Sequence, residues 1–388
     1  MRDTARPVSS SGTAELVRGA LEIERTPAGF RAHRLPAAAL AQARDPQLEQ
    51  AEAQPSGVRL VAETEARTVE LTALATRIGY RGLPARPPGV FELVVDDRPV
   101  ARASLETATT VTVDPATGTR ETSPAEPATI VFDDLPAGPK VLEIWLPHNE
   151  TVEIVELRAD AALRPAPRRR PLWLHHGSSV SQGSGAGHPL GTWPAVAAVA
   201  GGFDLVNLGV SGSALLDPFA ARVTRDTPAD LISVKIGINL VNTDLMRLRA
   251  FGPAVHGFLD TVREGHPEAP LVVVSPIHCP IHEDTPGPAA FDPVAVAAGE
   301  LRFVATGDPA DVAAGKLTLR VIREHLARIV AERSGADPNL HHVDGESLYG
   351  PADALDHPLP DGLHPDPATH RFMGERFAAR ILTGRGAT

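Results

Sequence analysis

The sequence predicts an α/β protein in two parts. A β-sandwich (jelly-roll-like) accessory domain spans residues 1–165, and a three-layer α/β/α domain on a parallel sheet spans 166–388. Three observations carry this. The chain has 388 residues, more than one ordinary hydrophobic core serves. Its first part alternates apolar and polar residues with period two, whereas its second part alternates continuous apolar runs with helical segments. Between them lies Leu163-Arg164-Pro165-Ala166-Pro167-Arg168-Arg169-Arg170-Pro171, stiffened by proline and kept wet by arginine.

Residues 36–54 are Ala-rich and polar, and read as a surface helix or a mobile loop. The alternating sets follow: Val69, Leu71 and Ala73; Phe91, Leu93 and Val95; Leu142, Ile144 and Leu146; Val152 and Ile154. Such alternation means strands with one buried face. Asp96-Asp97, Pro115-Ala116-Thr117-Gly118 and Pro136-Ala137-Gly138 supply turn chemistry between them. Several short strands without a long helical pattern indicate a sandwich.

Beyond the linker, expected strands are Leu172–Leu174, Leu205–Leu208, Leu231–Ile236, Leu271–Ser275 and Leu340–Val343. They are nearly continuous in apolar residues, as strands covered on both faces must be. Among the intervening helices, Leu319, Ile322, Leu326, Ile329 and Val330 share one face. A last helix over 368–382 offers Phe372, Phe377 and Ile381 for docking. Strand–helix alternation predicts a parallel sheet wrapped by helices, with its site at the carboxyl ends of the strands. The 279–316 segment is long for a connection and is expected to form a rim or lid.

Composition excludes several classes. Lys and Arg number 37 against 48 Asp and Glu, a net charge of −11, which argues against a nucleic-acid partner. No apolar run approaches the roughly 20 residues that span a bilayer, so no membrane role is expected. The lone Cys279 excludes an internal disulfide and fits a reducing compartment. Met1-Arg2-Asp3-Thr4-Ala5-Arg6-Pro7 lacks the apolar core of a secretory signal, and a cytoplasmic location is expected, secretion being open if a leader has been trimmed away. No phosphate-cradling or dinucleotide glycine loop is present, and no cofactor is expected. His278-Cys279-Pro280-Ile281-His282-Glu283 matches no zinc spacing, so no metal is assigned and the stretch reads as pocket lining.

The chemistry concentrates in four loops. Asp361-Gly362-Leu363-His364-Pro365 sets a carboxylate three residues before an imidazole. The carboxylate can turn back to hold Nδ1–H and leave Nε2 free to take a proton. Asp353, Asp356 and Asp366 are other candidate carboxylates, and His357 and His370 other candidate bases. Gly177-Ser178-Ser179-Val180-Ser181-Gln182-Gly183 follows an apolar strand and offers Ser179 as nucleophile, with Ser178, Ser181 and Ser184 as rivals. Gly212, in Asn207-Leu208-Gly209-Val210-Ser211-Gly212, and Asn239, in Lys235-Ile236-Gly237-Ile238-Asn239, also follow strands. A backbone N–H and a side-chain amide are neutral donors suited to an oxyanion. The Gly-x-Ser-x-Gly elbow of α/β-hydrolases is absent.

In this order, Ser, Gly, Asn and Asp-x-x-His, the motifs resemble the SGNH family of hydrolases, also called GDSL esterases and lipases, over most of 171–384. The resemblance implies an SGNH-type sheet, Ser179 as nucleophile with its own N–H in the oxyanion hole, Gly212 and Asn239 as the other two donors, and Asp361 with His364 as the base pair. Two positions depart from the family pattern. Ser178 stands where the motif has Asp before the nucleophile, and Leu240 follows Asn239 where many members have Asp. A β module ahead of such a domain is similar to carbohydrate esterase family 2. The implied activity is a serine esterase acting on short, acetyl-like acyl esters of a sugar or small metabolite through an acyl-enzyme. A lipase or thioesterase on longer chains, and a catalytically degenerate saccharide-binding protein, are the alternatives.

Overall fold

The computed structural model describes residues 6–8, 10–114 and 117–383. Residues 1–5, and Pro115 and Ala116 of the expected turn, lie outside the described residues. The chain forms two compact units. One takes Met1–Pro36, Glu52–Arg169 and Gly187–Leu190, and the other Ala37–Ala51, Arg170–Ala186 and Gly191–Thr388.

The first unit is built from two sheets. An eight-stranded sheet is centred on Val69–Tyr80 and Thr151–Ala159, and a six-stranded sheet on Arg59–Thr64, Lys140–Trp145 and Val90–Val95. Pairing is antiparallel except between Val69–Tyr80 and Thr109–Val113. Val69, Leu71, Ala73 and Ala75 share one core cluster with Phe91, Leu93 and Val95 of the other sheet. Period-two patterning puts these side chains on one face of each strand, and the two faces close on each other as a sandwich.

The second unit holds a five-stranded parallel sheet: β1 (Leu172–Gly177), β2 (Asp204–Gly209), β3 (Leu231–Lys235), β4 (Leu271–Val274) and β5 (Leu340–Val343). The spatial order is β2-β1-β3-β4-β5, every pair parallel. The chain passes from β1 to β2 on one side, then crosses back to β3 on the other. That reversal opens a crevice at the carboxyl ends of β1 and β3.

Helices cover both faces. They are α1 (Ala37–Ala43), α2 (Pro46–Glu52), α3 (Ser179–Gln182), α4 (Trp193–Gly201), α5 (Pro218–Asp226), α6 (Leu248–Gly265), α7 (Leu319–Arg333) and α8 (Pro367–Phe377). His175 and His176, adjacent in β1, point to opposite faces. The His175 ring meets Trp193 of α4, and the His176 ring stacks on Phe258 of α6. Trp173, Trp193 and Phe377 of α8 form one aromatic cluster beneath β1. In α7 the face foreseen from spacing is the buried one. The expected last helix is α-helical only to Phe377 and continues as a π-helical turn, Ala378–Leu382. Phe377 is buried, but Phe372 of α8 and Ile381 of that turn stay half-exposed, and Met373 takes the inward place, four residues before Phe377 and so on its face.

The 279–316 segment is not featureless. It contains a two-stranded ribbon pairing Ala289–Phe291 with Phe303–Ala305, two short 3₁₀ turns and a short helix, Pro293–Ala297. Among the described residues no helix is long and apolar enough to cross a membrane.

Candidate active site

β1 ends at Gly177 and the chain turns at once into α3, whose first residue is Ser179. An N–H in the first turn of a helix has no intrahelical carbonyl to reach, so that of Ser179 is directed out of the helix end. A buried network holds this turn. The Trp173 indole N–H donates to Ser233 Oγ (2.8 Å), Ser233 Oγ lies 2.7 Å from His175 Nδ1, and His175 Nε2 lies 2.8 Å from Ser181 Oγ. Asn207 Nδ2 donates to the Ser181 carbonyl (2.8 Å), while its Oδ1 accepts from Gly209 N–H (2.9 Å). Burial, followed by the neighbouring His176 and Lys235, pushes His175 well below the ordinary histidine range, so this imidazole is neutral.

The loop after β5 brings the second half. Asp361 Oδ1 accepts from the N–H groups of Leu363 (2.9 Å) and His364 (2.7 Å), and its Oδ2 accepts from His364 Nδ1–H at 2.7 Å. His364 Nε2 then lies 3.0 Å from Ser179 Oγ, across 185 residues of sequence. Burial pushes the Asp361 carboxyl upward, but the hydrogen bond and charge of His364, with the two backbone donors, outweigh it and hold the pKa below the usual value. Close backbone approach locks the two loops together. A Cβ on Gly185 would sit 2.1 Å from the Pro365 carbonyl oxygen, so only glycine fits there.

The other candidates fall elsewhere. Ser178 Oγ is buried without a partner, Ser181 serves His175, and Ser184 offers its carbonyl to His370 Nε2. His370 also accepts from Trp193 N–H (3.2 Å). Asp353 pairs with Arg376, and Asp366 caps α8 through Thr369 N–H. His357 packs on the Phe372 ring.

Asn239 and Gly212 occupy the loops after β3 and β2. Asn239 is 2% exposed, and its Oδ1 accepts from Ala214 N–H (3.1 Å), which turns its Nδ2 end the other way. Ser211, beside Gly212, is held at both of its backbone polar groups. Gln182 Oε1 accepts from Ser211 N–H (2.8 Å), and Gln47 Nε2 of α2 donates to the Ser211 carbonyl (2.9 Å). Gln47 has no signal in its own sequence. Its role depends on α1 and α2 packing into this unit, where Gln42 of α1 also bonds Arg222 of α5.

The His278–Glu283 stretch folds into a 3₁₀ turn that separates its histidines. His282 Nδ1 bonds the Thr285 carbonyl, whereas His278 Nδ1 lies 3.2 Å from Glu283 and 3.8 Å from Glu346. These three residues bring donor atoms within 4.8 Å of one another, a spacing that a cation could bridge. Arg323 already pairs with both carboxylates, at 3.0 Å from Glu346 and closer to Glu283. Its guanidinium supplies the positive charge an ion would bring.

The buried imidazoles set an expected pH response. Burial holds His175 low and pushes His370 down to about 4. Below about pH 6.5 the unfolded chain takes up protons at these sites and the folded protein does not, so stability falls as pH drops from about 6.5 toward 4. His370 contributes about 1.4 kcal/mol per pH unit in that window, and His175 acts in the same direction. His33, raised to about 9 chiefly by its hydrogen bond to Glu52, acts in the other direction. Its stabilisation is complete below about pH 6.5 and is lost as pH rises toward 9. Urea midpoints at pH 7 and 5 measure the acid limb, which should be shallower in a His370→Gln protein. An unchanged slope would mean that the imidazole takes a proton in place.

Against known proteins, the description GDSL-like lipase/acylhydrolase matches residues 176–372, just over half of the 388. The chain belongs to that family. It is an enzyme of acyl-ester chemistry, an SGNH-type esterase. Among solved structures it is similar to SsfX3, a salicylyl-acyltransferase from a tetracycline biosynthetic pathway, with 27% identity, a TM-score of 0.80, and coverage of 99% of this chain and 100% of that one. It shares its fold with a GDSL-like lipase from Bacteroides ovatus (16% identity, TM-score 0.65, 97% and 96% coverage). It also shares it with a family two carbohydrate esterase from Cellvibrio japonicus (13%, 0.55, 97% and 97%). These likenesses run through both units. No curated protein sequence matches it.

Proposed function

We propose that this esterase removes a short, acetyl-like acyl group from an ester of a sugar or small metabolite, through an acyl-enzyme on Ser179. The observation that carries the reading is the continuous chain Asp361 Oδ2, His364 Nδ1, His364 Nε2, Ser179 Oγ, with contacts of 2.7 and 3.0 Å. His364 takes the Ser179 proton as Oγ attacks the acyl carbonyl. Asp361 holds the imidazole in the tautomer that leaves Nε2 as acceptor, and stabilises the imidazolium that forms. The N–H groups of Ser179 and Gly212 and the amide of Asn239 hold the oxyanion. A trans peptide points its C=O and N–H in opposite directions. Gln47, by fixing the Ser211 carbonyl, therefore turns the Gly212 N–H away from itself, which supports its use as a donor. His364 then protonates the leaving alcohol, and water repeats the sequence on the acyl-enzyme.

A fluorophosphonate probe tests the reading. The expected result is a single covalent adduct on the peptide containing Ser179. A folded protein that takes no adduct would instead be a saccharide-binding relative without catalysis. An acyl-chain series tests the acyl group, since rates should fall beyond two carbons. Rates that hold to eight carbons would favour a lipase or thioesterase.

A second reading is acyl transfer to a hydroxyl acceptor rather than to water. What favours it is the 27% identity to an acyltransferase over 99% of this chain. Partition of product between free acid and a new ester in the presence of an added alcohol separates the two.

A further inference from the structure

We propose that Phe303 forms the wall on which the alcohol half of the ester lies, and that this alcohol is aromatic or otherwise planar and apolar rather than a free polyol. The proposal rests on the assignment of Ser179 and His364 above, and it selects within the small-metabolite class named there.

His364 Nε2 must first accept from Ser179 Oγ, 3.0 Å away, and then donate to the alcohol oxygen as it leaves. The alcohol must therefore leave along the imidazole, and whatever flanks that ring meets it. The Phe303 ring does so, edge-on, with centroids 5.7 Å apart. Its position is fixed by backbone contacts to the catalytic loop. Phe303 N–H donates to the Asp361 carbonyl (2.8 Å). Gly362, at φ +82°, leaves room for the Phe303 carbonyl, which a Cβ there would meet at 3.1 Å. Phe291, paired across the ribbon, braces the ring at 5.2 Å.

The ribbon's composition narrows the ligand. Ala289, Ala290, Phe291, Phe303, Val304 and Ala305 are all apolar, and none of the six is buried. Scattered exposed apolar residues need no explanation, but a wholly apolar ribbon beside a reacting centre is a binding surface. Its side chains offer no hydrogen-bond donor or acceptor. A polyol lying here would lose water contacts without replacement, while a planar apolar ring would gain contact area and edge or face packing on Phe303.

The test compares 1-naphthyl acetate with ethyl acetate, which share an acyl group and differ in the alcohol. In Phe303→Ala, the ratio of kcat/KM for the naphthyl ester to that for ethyl acetate should fall about tenfold relative to wild type. Phe303→Leu keeps the packing against His364 and guards against misfolding, and it should show the same selective loss, smaller in size. Phe303→Trp should retain the naphthyl preference. An equal loss on both esters would mean that Phe303 only packs the imidazole, and the proposal would fall while the catalytic assignment stood. Faster wild-type turnover of an acetylated methyl glucoside than of the naphthyl ester would overturn it too. Wild-type activity in Ser179→Ala would instead remove the reading beneath it.

Discussion

The Ser179→Ala protein is expected to lose about four orders of magnitude or more in kcat while folding as the wild type does. Removing the nucleophile alone abolishes nearly everything a Ser-His-Asp unit contributes, because the base and its carboxylate then have nothing to activate. What remains is the binding and oxyanion contribution, which Gly212 and Asn239 would still make. The change deletes one oxygen whose bond is to His364, a side chain held independently by Asp361. The melting temperature should therefore stay near that of wild type. Single-turnover release of p-nitrophenol from p-nitrophenyl acetate measures the rate, and wild-type activity in a folded variant would refute the nucleophile.

Asp361→Asn is expected to cost a comparable factor, about 10⁴ in kcat, with little change in geometry. The Asn Oδ1 can still accept from the N–H groups of Leu363 and His364, as Asp361 Oδ1 does. The change falls on the other atom. Where Asp361 Oδ2 accepts from His364 Nδ1–H, an amide NH₂ donates and forces the imidazole proton onto Nε2. That nitrogen then faces Ser179 Oγ as a donor and cannot take its proton. An NMR determination of the His364 tautomer, alongside kcat, distinguishes this from simple loss of folding. Full activity with the proton on Nε2 would show that another group serves as base.

The candidate site was legible in the sequence because its chemistry is local at each corner. Asp361 and His364 sit three residues apart, close enough for the loop to close on itself. Ser179, Gly212 and Asn239 each follow a short apolar run, which in a parallel sheet means the same edge. Their runs end at Gly177, Gly209 and Lys235, on three adjacent strands. The supporting cast was not legible. Gln47 lies 164 residues from the Ser211 carbonyl it bonds, in a segment whose composition fits a helix or a loop equally well. His175 lies just before the Ser179 loop, but its partner Ser233 is 58 residues away on β3. In the last helix, choosing Met373 over Phe372 for the inward place needed the helix rotation, which depends on what α8 packs against.

Periodicity and short motifs by themselves determined the two layered architectures, the parallel strands and the candidate residues that the fold brings together. These follow from the spacing of apolar residues along one segment, and each segment must bury its own stripe whatever surrounds it. Only the folded chain decided the order β2-β1-β3-β4-β5, the meeting of Ser179 with His364 at 3.0 Å, the recruitment of α1 and α2, and the apolar ribbon at the imidazole. Those are relations between segments far apart in the chain. Their energies come from contacts that no local pattern encodes, so they exist only once the whole sheet has closed.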